Sequence, residues 1–145
     1  MVDGKRPTRE ELVRALRAAG VRLTPQREAV WNWFVERPSG AGVAEAARAL
    51  ATRGVGLATV YRTVALLEEL GLLRRFHDAC GEHRYVAARP GHGHALVCRV
   101  CGRAVPFEAC ALDLLERLLA VETGFVVEGH SLEVYGVCPG CQEEK

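Results

Sequence analysis

Four of the six cysteines form two closely spaced pairs, Cys98-x-x-Cys101 and Cys138-x-x-Cys141. Each pair presents two thiolates from one tight turn, and two such turns complete a tetrahedral sulfur shell that suits Zn²⁺. A redox dithiol is the rival interpretation for either pair alone, but the presence of two pairs favours metal. Because a full shell of four thiolates leaves no open position for substrate, the sequence predicts one structural zinc per chain that ties the C-terminal tail to an earlier hairpin.

A second set of possible metal ligands lies around the first cysteine pair. His92 and His94 are on the same side of an extended segment, Asp113 begins an amphipathic helix, and His130 lies in the last strand-like run. Each histidine alone fits an ordinary surface or core role. As a set, these residues offer three nitrogen ligands and one oxygen ligand, which suits Zn²⁺ or Fe²⁺.

The two remaining cysteines, Cys80 and Cys110, each stand alone in the sequence. A lone cysteine is most often a small buried apolar residue, and we expect this of Cys110. The alternative is that one of the two responds to the redox state of its surroundings.

Residues 57–64 have the pattern of a DNA-recognition helix. Val60 and Val64 repeat at helical spacing and are predicted to face the core. An exposed arginine can then read guanine or grip phosphate, and an exposed tyrosine can pack on thymine methyl groups. The alternative is a solvated helix with one aromatic residue at its edge. The residues predicted to lie near the exposed face are Thr59, Tyr61, Arg62 and Thr63.

The elements that must position these residues differ between the two halves of the chain. Residues 1–88 predict four helices and a short hairpin, the layout of a winged helix. Thr8 begins a capping box, and Thr24-Pro25 starts the second helix. Residues 89–145 predict a β-β-α-β order, with strands at 96–100 and 104–107, a helix beginning near 112 and a strand run over 125–137. The fold class is therefore α+β, with domains at 1–88 and 89–145.

Charge and composition permit a nucleic-acid partner without requiring one. The net charge is +1, and it divides into +4 for residues 1–88 (14 Lys and Arg, 10 Asp and Glu) and −3 for residues 89–145 (5 against 8). The mild positive bias of the first half suits a polyanion. No stretch is long and apolar enough for a membrane span or a signal peptide, so we expect a cytoplasmic protein.

The chain resembles the ferric uptake regulator (Fur) family over nearly its whole length. The resemblance rests on Arg22-Leu23-Thr24-Pro25-Gln26-Arg27, Ala58-Thr59-Val60-Tyr61-Arg62, Cys98-Arg99-Val100-Cys101-Gly102 and His130-Ser131-Leu132-Glu133-Val134-Tyr135-Gly136-Val137-Cys138. It implies a winged-helix domain and an α/β dimerisation domain with a four-cysteine zinc site. The implied function is that of a homodimeric, metal-dependent repressor of metal uptake or homeostasis genes that binds a palindromic operator.

The resemblance also implies roles for individual residues. The structural zinc falls on Cys98, Cys101, Cys138 and Cys141, and a second, regulatory site for Zn²⁺ or Fe²⁺ (or Mn²⁺) falls on His92, His94, Asp113 and His130. The DNA contacts fall on Arg22, Arg27, Thr59, Tyr61 and Arg62.

The sequence departs from the family at the interdomain sensor site. The positions at which members usually supply ligands hold Ala41, Val86, Gly93, Ala95 and Pro106, none of which can bind metal. The sensor is either absent, rebuilt from His77, Cys80 and His83 on the wing, or served by the single His-x-His pair. The missing ligands argue against the peroxide-sensing subgroup, whose chemistry needs Fe²⁺ held at this site.

The mechanism that we expect is a population shift. Two winged helices of a dimer must lie about 34–36 Å apart to reach successive major grooves. Ligation by His92 and His94, directly after a hinge at residues 87–91, would favour this geometry. The alternatives are a redox-sensing regulator with purely structural zinc and a zinc enzyme such as a nucleotide deaminase. The deaminase is disfavoured because no His-x-Glu helix precedes Cys138, and we expect no enzyme activity.

Overall fold

The computed structural model describes residues 6–89 and 93–143 and has mixed helix and strand, as predicted. In chain order the elements are α1 (Arg9–Ala18), α2 (Pro25–Val35), α3 (Val43–Ala51), α4 (Leu57–Glu69), β1 (Leu73–His77), β2 (His83–Ala87), β3 (His94–Cys98), β4 (Ala104–Phe107), α5 (Asp113–Thr123), β5 (Glu133–Gly136) and α6 (Pro139–Glu143). Within the described residues, no helix has both the length and the apolar character needed to cross a membrane.

The first two helices begin where the sequence places their caps. The Thr8 hydroxyl accepts a hydrogen bond from the Glu11 N–H at 3.3 Å, and the Glu11 carboxylate accepts one from the Thr8 N–H at 2.8 Å. This reciprocal pair is the predicted capping box. Thr24 caps α2 in the same way by accepting from the Arg27 N–H at 3.2 Å, with Pro25 at the first helical position.

The first four helices share one apolar core. Helices α2, α3 and α4 pack against one another, and α4 buries one face while its opposite face stays exposed. The largest fully buried side chains in this core are Leu12, Leu16, Val30, Phe34, Leu50, Val60, Val64, Leu67, Leu72 and Leu73. This packing fixes the direction in which the exposed face of α4 points.

Strands β1 and β2 form the predicted antiparallel wing, running in register from Leu73–Ala87 to His77–His83. Its turn is closed by the Asp78 carboxylate, which accepts hydrogen bonds from two backbone N–H groups of the turn at 2.9 and 3.0 Å. Ala41 adds an isolated bridge to Tyr85, which joins the wing to the loop between α2 and α3.

The second half contains a three-stranded sheet with the order β4-β3-β5. Strand β3 pairs antiparallel with β4 and parallel with β5, and the register sets Cys98 beside Gly136. Because Cys98 ends β3 and Cys138 follows β5 by two residues, the parallel pairing brings both cysteine pairs to the same end of the sheet.

Two of the predicted elements differ from the structure, and one element was not predicted. Only Glu133–Gly136 of the strand run predicted over 125–137 is a strand, because the earlier residues meet no partner strand within the described chain. Phe125 and Val126 are instead 74% and 87% exposed. Strand β3 begins and ends two residues earlier than predicted, since the chain turns after Cys98, and α6 was not predicted.

An apolar cluster joins the two halves of the molecule. Phe76 and Val86 of the wing pack with Ala95, Val97 and Ala104 of the sheet, and each of the five is at most 1% exposed. We call this group the interdomain cluster. The loop between α2 and α3 packs on this cluster at Gly40, whose φ is +81°. A Cβ at this position would lie 2.7 Å from the Phe76 ring.

Polar contacts surround the interdomain cluster. The Arg74 guanidinium donates a hydrogen bond to the Gly93 carbonyl at 2.5 Å, and the His77 N–H donates to the Glu133 carboxylate at 3.0 Å. Partial burial by itself would raise the pKa of Glu133, but hydrogen bonds from Tyr135 and His77 lower it below its ordinary value. The two halves are therefore joined by packed apolar side chains and by an ionised carboxylate at the edge of the contact.

We expect Phe76→Ala to destabilise the protein by about 3–5 kcal/mol, because it leaves a cavity in the interdomain cluster. Urea unfolding of the zinc-loaded protein measures this change. Leu57→Ala is the control, since Leu57 is 64% exposed and its truncation should change stability by no more than about 0.5 kcal/mol. Equal, small effects of both substitutions would show that the cluster does not join the halves.

Candidate metal centres and nucleic-acid interface

The four paired cysteines form one compact group. The sulfur atoms of Cys98, Cys101, Cys138 and Cys141 all lie within 4.8 Å of one another, and none of the cysteines is in a disulfide. The Cys101 and Cys138 sulfurs are 3.8 Å apart. Tetrahedral zinc with Zn–S bonds of about 2.3 Å requires sulfur–sulfur distances of roughly 3.8 Å. The donor set and its spacing thus fit a four-cysteine zinc site.

Local backbone structure explains why the two pairs converge. The first pair turns sharply after β3, where the Gly102 N–H donates to the Cys98 carbonyl at 3.0 Å. The second pair opens α6, where the Cys141 N–H donates to the Cys138 carbonyl, also at 3.0 Å. Because each turn directs two sulfurs the same way, parallel pairing of β3 with β5 is enough to assemble the group.

The thiols of this group differ in their readiness to ionise. The backbone N–H groups of Cys101, Cys138 and Val100 lower the pKa of Cys98 to about 6. The pKa of Cys141 rises to about 12, first through its hydrogen bond to Cys138 and then through burial. Cys98 therefore ionises readily while the ionisation of Cys141 is opposed by its neighbours, and a bound dication would favour the thiolate form of both.

A second group contains two histidines and a cysteine. The ligand atoms of His94, Cys110 and His130 all lie within 4.8 Å of one another. His130 Nε2 is 3.2 Å from the Cys110 sulfur and 3.4 Å from His94 Nε2. On its other side, His130 Nδ1 is 2.6 Å from a Glu116 carboxylate oxygen. A carboxylate on the far nitrogen orients a metal-binding imidazole and fixes its tautomer, so Nε2 is presented to the cluster.

The structure brings together part of the predicted regulatory set. His94 is buried on β3 and His130 stacks against it with ring centroids 5.0 Å apart. Asp113 lines the same cleft as Cys110 and His130 but does not belong to the three-residue group. His92 and the hinge residues 90–91 lie outside the described residues.

Sequence reasoning missed Cys110 as a member of this group. Cys110 is exposed, which corrects the expectation that it is a small buried residue. It lies on the irregular segment between β4 and α5, far in sequence from both histidines, and has no second cysteine nearby. The only signal was its presence as an unpaired thiol.

Helix α4 exposes a basic and aromatic edge. Tyr61 is 49% exposed, Arg62 is exposed and Thr59 is half-buried. Thr63 is only 3% exposed, which corrects the expectation that it lies near the exposed face; its side chain instead packs into the core beside Val64. Arg27 on α2 donates to the carbonyl of exposed Arg22, so these two arginines lie together at the start of α2.

The family model described as "Ferric uptake regulator family" matches residues 18–135. The chain belongs to the ferric uptake regulator family. The Peroxide-responsive repressor PerR of Staphylococcus epidermidis is 33% identical over 137 residues, covering 93% of this chain and 91% of that protein.

Two solved structures are similar in fold. A zinc uptake regulator complexed with zinc and DNA has a TM-score of 0.74 and 26% identity, covering 93% of both chains. A zinc-bound manganese uptake regulator has a TM-score of 0.56 and 28% identity, covering 88% of this chain and 98% of the other. The two solved structures thus share one architecture, while the names of the three relatives refer to peroxide, zinc and manganese.

The family's interdomain sensor positions lie in and around an apolar contact. Ala41, Val86 and Ala95 are each 1% exposed. A Cβ at Gly93 would lie 2.7 Å from the Arg74 guanidinium, so no larger side chain fits there without displacing Arg74. Three of these positions therefore hold buried apolar side chains, and the space beside Gly93 is filled by the Arg74 guanidinium.

The wing residues considered as a rebuilt sensor are not assembled as one. Within residues 6–89 and 93–143, His77, Cys80 and His83 do not form a group with mutually close ligand atoms. The His77 and His83 rings are 4.7 Å apart, but His77 Nδ1 is 3.0 Å from Glu133, and Cys80 lies in the exposed turn. The geometry therefore gives this alternative no support.

We expect zinc to co-purify with the chain and Cys138→Ser to remove it, because three cysteines bind far more weakly than the full set. Elemental analysis of zinc per chain is the measurement. Cys80→Ser, which changes an exposed thiol outside both groups, should keep the metal. Retention of one zinc per chain by Cys138→Ser would contradict the four-cysteine assignment.

Proposed function

We propose that this protein is a metal-dependent, DNA-binding transcriptional repressor of metal uptake or homeostasis genes, acting in the cytoplasm. The observation that carries the proposal is a direct path from metal ligands to the wing. His94 belongs to β3, and the neighbouring Ala95 and Val97 of the same strand pack on Phe76 and Val86 of the wing. A change at His94 is therefore transmitted to the DNA-binding half through close-packed side chains.

The exposed edge of α4 supports DNA as the partner. Tyr61 and Arg62 are on the helix that a winged helix inserts into the major groove, where arginine reads guanine or grips phosphate. Arg22 and Arg27 lie together at the start of α2, where they suit contacts to the phosphate backbone. The solved zinc uptake regulator of similar fold is described as a complex with DNA.

Two metal sites with different roles fit the two ligand groups. The four-cysteine group suits a structural zinc, one per chain, because four thiolates leave no open position. The group around His94 and His130, with His92 and Asp113 as the further ligands that family resemblance implies, suits a regulatory Zn²⁺, Fe²⁺ or Mn²⁺. Ligation there would favour the operator-matching geometry, with a coupling of about 1–3 kcal/mol or 5–150-fold in DNA affinity.

An exposed apolar surface on α5 supports a homodimer. Helix α5 buries none of its residues within the chain, although six of its eleven residues are leucine, alanine or valine. The exposed residues of this surface and the segment beside it are Leu114, Leu115, Leu118, Leu119, Val121, Phe125 and Val126. A contiguous apolar surface of this kind is covered by a partner in stable proteins, and a second copy would also place two recognition helices on a palindromic operator.

No enzyme activity is part of the proposal. The relative named as a repressor aligns over 93% of this chain. The Cys138 pair also belongs to a closed set of four thiols, whereas a zinc enzyme keeps a coordination position open.

We expect mild chelation to weaken binding of a fluorescent duplex from the protein's own promoter by at least about fivefold, and one of Zn²⁺, Fe²⁺ or Mn²⁺ to restore it. Fluorescence anisotropy at fixed salt measures the affinity, because phosphate contacts make it depend on salt. Arg62→Ala should cost about 1–3 kcal/mol of metal-loaded binding. Arg99→Ala, at an exposed arginine of the other half, is the matched control.

The outcomes of this titration separate the proposal from its rivals. Tight binding that chelation leaves unchanged would refute metal dependence and favour the redox-sensing alternative. An absence of binding with every metal would refute the DNA-binding function itself.

We expect Leu118→Glu to shift the protein from dimer to monomer, because it buries a charge in the apolar surface of α5. Analytical ultracentrifugation across a concentration series reports the change. Leu57→Glu, at a residue that is 64% exposed outside this surface, should leave the dimer intact. Dimerisation of both variants with unchanged affinity would exclude α5 from the interface.

A further inference from the structure

We propose that Cys110 supplies a thiolate ligand to the second metal site and makes this site prefer zinc-type dications over Mn²⁺. The proposal deepens the proposed function, on which it rests for the regulatory role of the site. It assigns a ligand that neither sequence reasoning nor the family resemblance placed there.

The distances around His130 match a tetrahedral metal site. Bonds of about 2.0–2.1 Å to nitrogen and 2.3 Å to sulfur give ligand–ligand distances of roughly 3.3–3.6 Å. His130 Nε2 is 3.4 Å from His94 Nε2 and 3.2 Å from the Cys110 sulfur. Three donors from three separate segments of the chain therefore lie within 4.8 Å of one another, and the two distances from His130 are close to tetrahedral values.

Neighbouring groups prepare these donors for a cation. Glu116 holds His130 Nδ1 at 2.6 Å and leaves Nε2 facing Cys110. The cleft beside them, of about 430 Å³, is lined by the carboxylates of Glu108, Asp113, Glu116 and Glu128. Negative charge concentrated in a cleft raises the local concentration of cations, and Asp113 lines this cleft beside the three donors.

A thiolate changes which metal such a site prefers. Carboxylate and water ligands suit Mn²⁺, whereas thiolate is a soft ligand that favours zinc and its spectroscopic substitute Co²⁺. Two imidazoles with one carboxylate would discriminate weakly between these ions. Ligation by Cys110 therefore gives the proposed site a preference for zinc-type ions without any ligand at the interdomain sensor positions.

The test uses Co²⁺ added to the full-length protein whose four-cysteine site still holds its zinc. We expect one equivalent of Co²⁺ to produce a near-ultraviolet thiolate-to-cobalt charge-transfer band. Cys110→Ser should abolish this band, and Cys80→Ser, the matched control at the other lone cysteine, should keep it. Zinc per chain, measured after the titration, must stay unchanged, so that the band does not come from exchange at the four-cysteine site.

Metal competition gives a second measurement. Cys110→Ser should lower the affinity for Zn²⁺ by at least about tenfold, the scale for losing support at a metal site, and should lower the affinity for Mn²⁺ less. Circular dichroism and retained structural zinc establish that the variant is folded. A cobalt spectrum without the thiolate band in the unsubstituted protein, a band that survives Cys110→Ser, or equal losses of Zn²⁺ and Mn²⁺ affinity would each overturn the proposal.

The spectrum and the DNA titration can fail independently. A thiolate band together with DNA binding that ignores metal would leave the ligand assignment standing and refute the regulatory function. Metal-dependent DNA binding without the band would support the regulatory function and refute Cys110 as a ligand.

Discussion

The alternation of side chains along β3 is the constraint on which the rest of the structure depends. Successive residues of a strand point to opposite faces of a sheet. Ala95 and Val97 lie in the interdomain cluster against the wing, whereas His94 and Cys98 belong to the two metal-ligand groups. A single central strand, paired on both sides, thus connects the DNA-binding half, the structural metal site and the second ligand group. A shift of its register by one residue would exchange these faces and disrupt all three.

The interdomain contact is apolar at positions where the family resemblance implies a metal sensor. Where relatives of the family supply ligands, this chain has small buried side chains and the Arg74–Gly93 hydrogen bond. An apolar contact holds two domains together at all metal concentrations, so it cannot by itself report metal. In the function that we propose, a metal response arises from the second ligand group, whose three donors include His94 on the other face of β3.

The C-terminal half has little core of its own. Its sheet contributes only small apolar residues to the interdomain cluster, and α5 buries nothing within the chain. A unit of this size gains stability from bound metal or from a partner when its own core is small. The four-cysteine group at the end of the sheet and the exposed leucines of α5 correspond to these two sources of stability.

Local signals in the sequence predicted most of the elements and the four-cysteine group. Each of these signals involves only a few neighbouring residues, as in the capping box at Thr8 and the helix start at Thr24-Pro25. The β-β-α-β order follows from such short patterns. Each Cys-x-x-Cys turn likewise directs its two sulfurs toward one point by local backbone geometry. Extended segments such as residues 125–132 were beyond such reasoning, because a strand exists only where a partner strand is present. The burial of Thr63 likewise depends on how α4 rotates against its neighbours.

Only the tertiary structure decided which side chains meet across the two halves. Cys110, His94 and His130 are separated by at least 16 residues in sequence, and no local rule brings them together. Their meeting depends on the parallel pairing of β3 with β5 and on the path of the segment before α5. The same holds for Phe76 and Val97, which became partners because the wing and the sheet pack face to face. Sequence patterns specify chemistry that acts along the chain, whereas contacts between distant segments follow from packing.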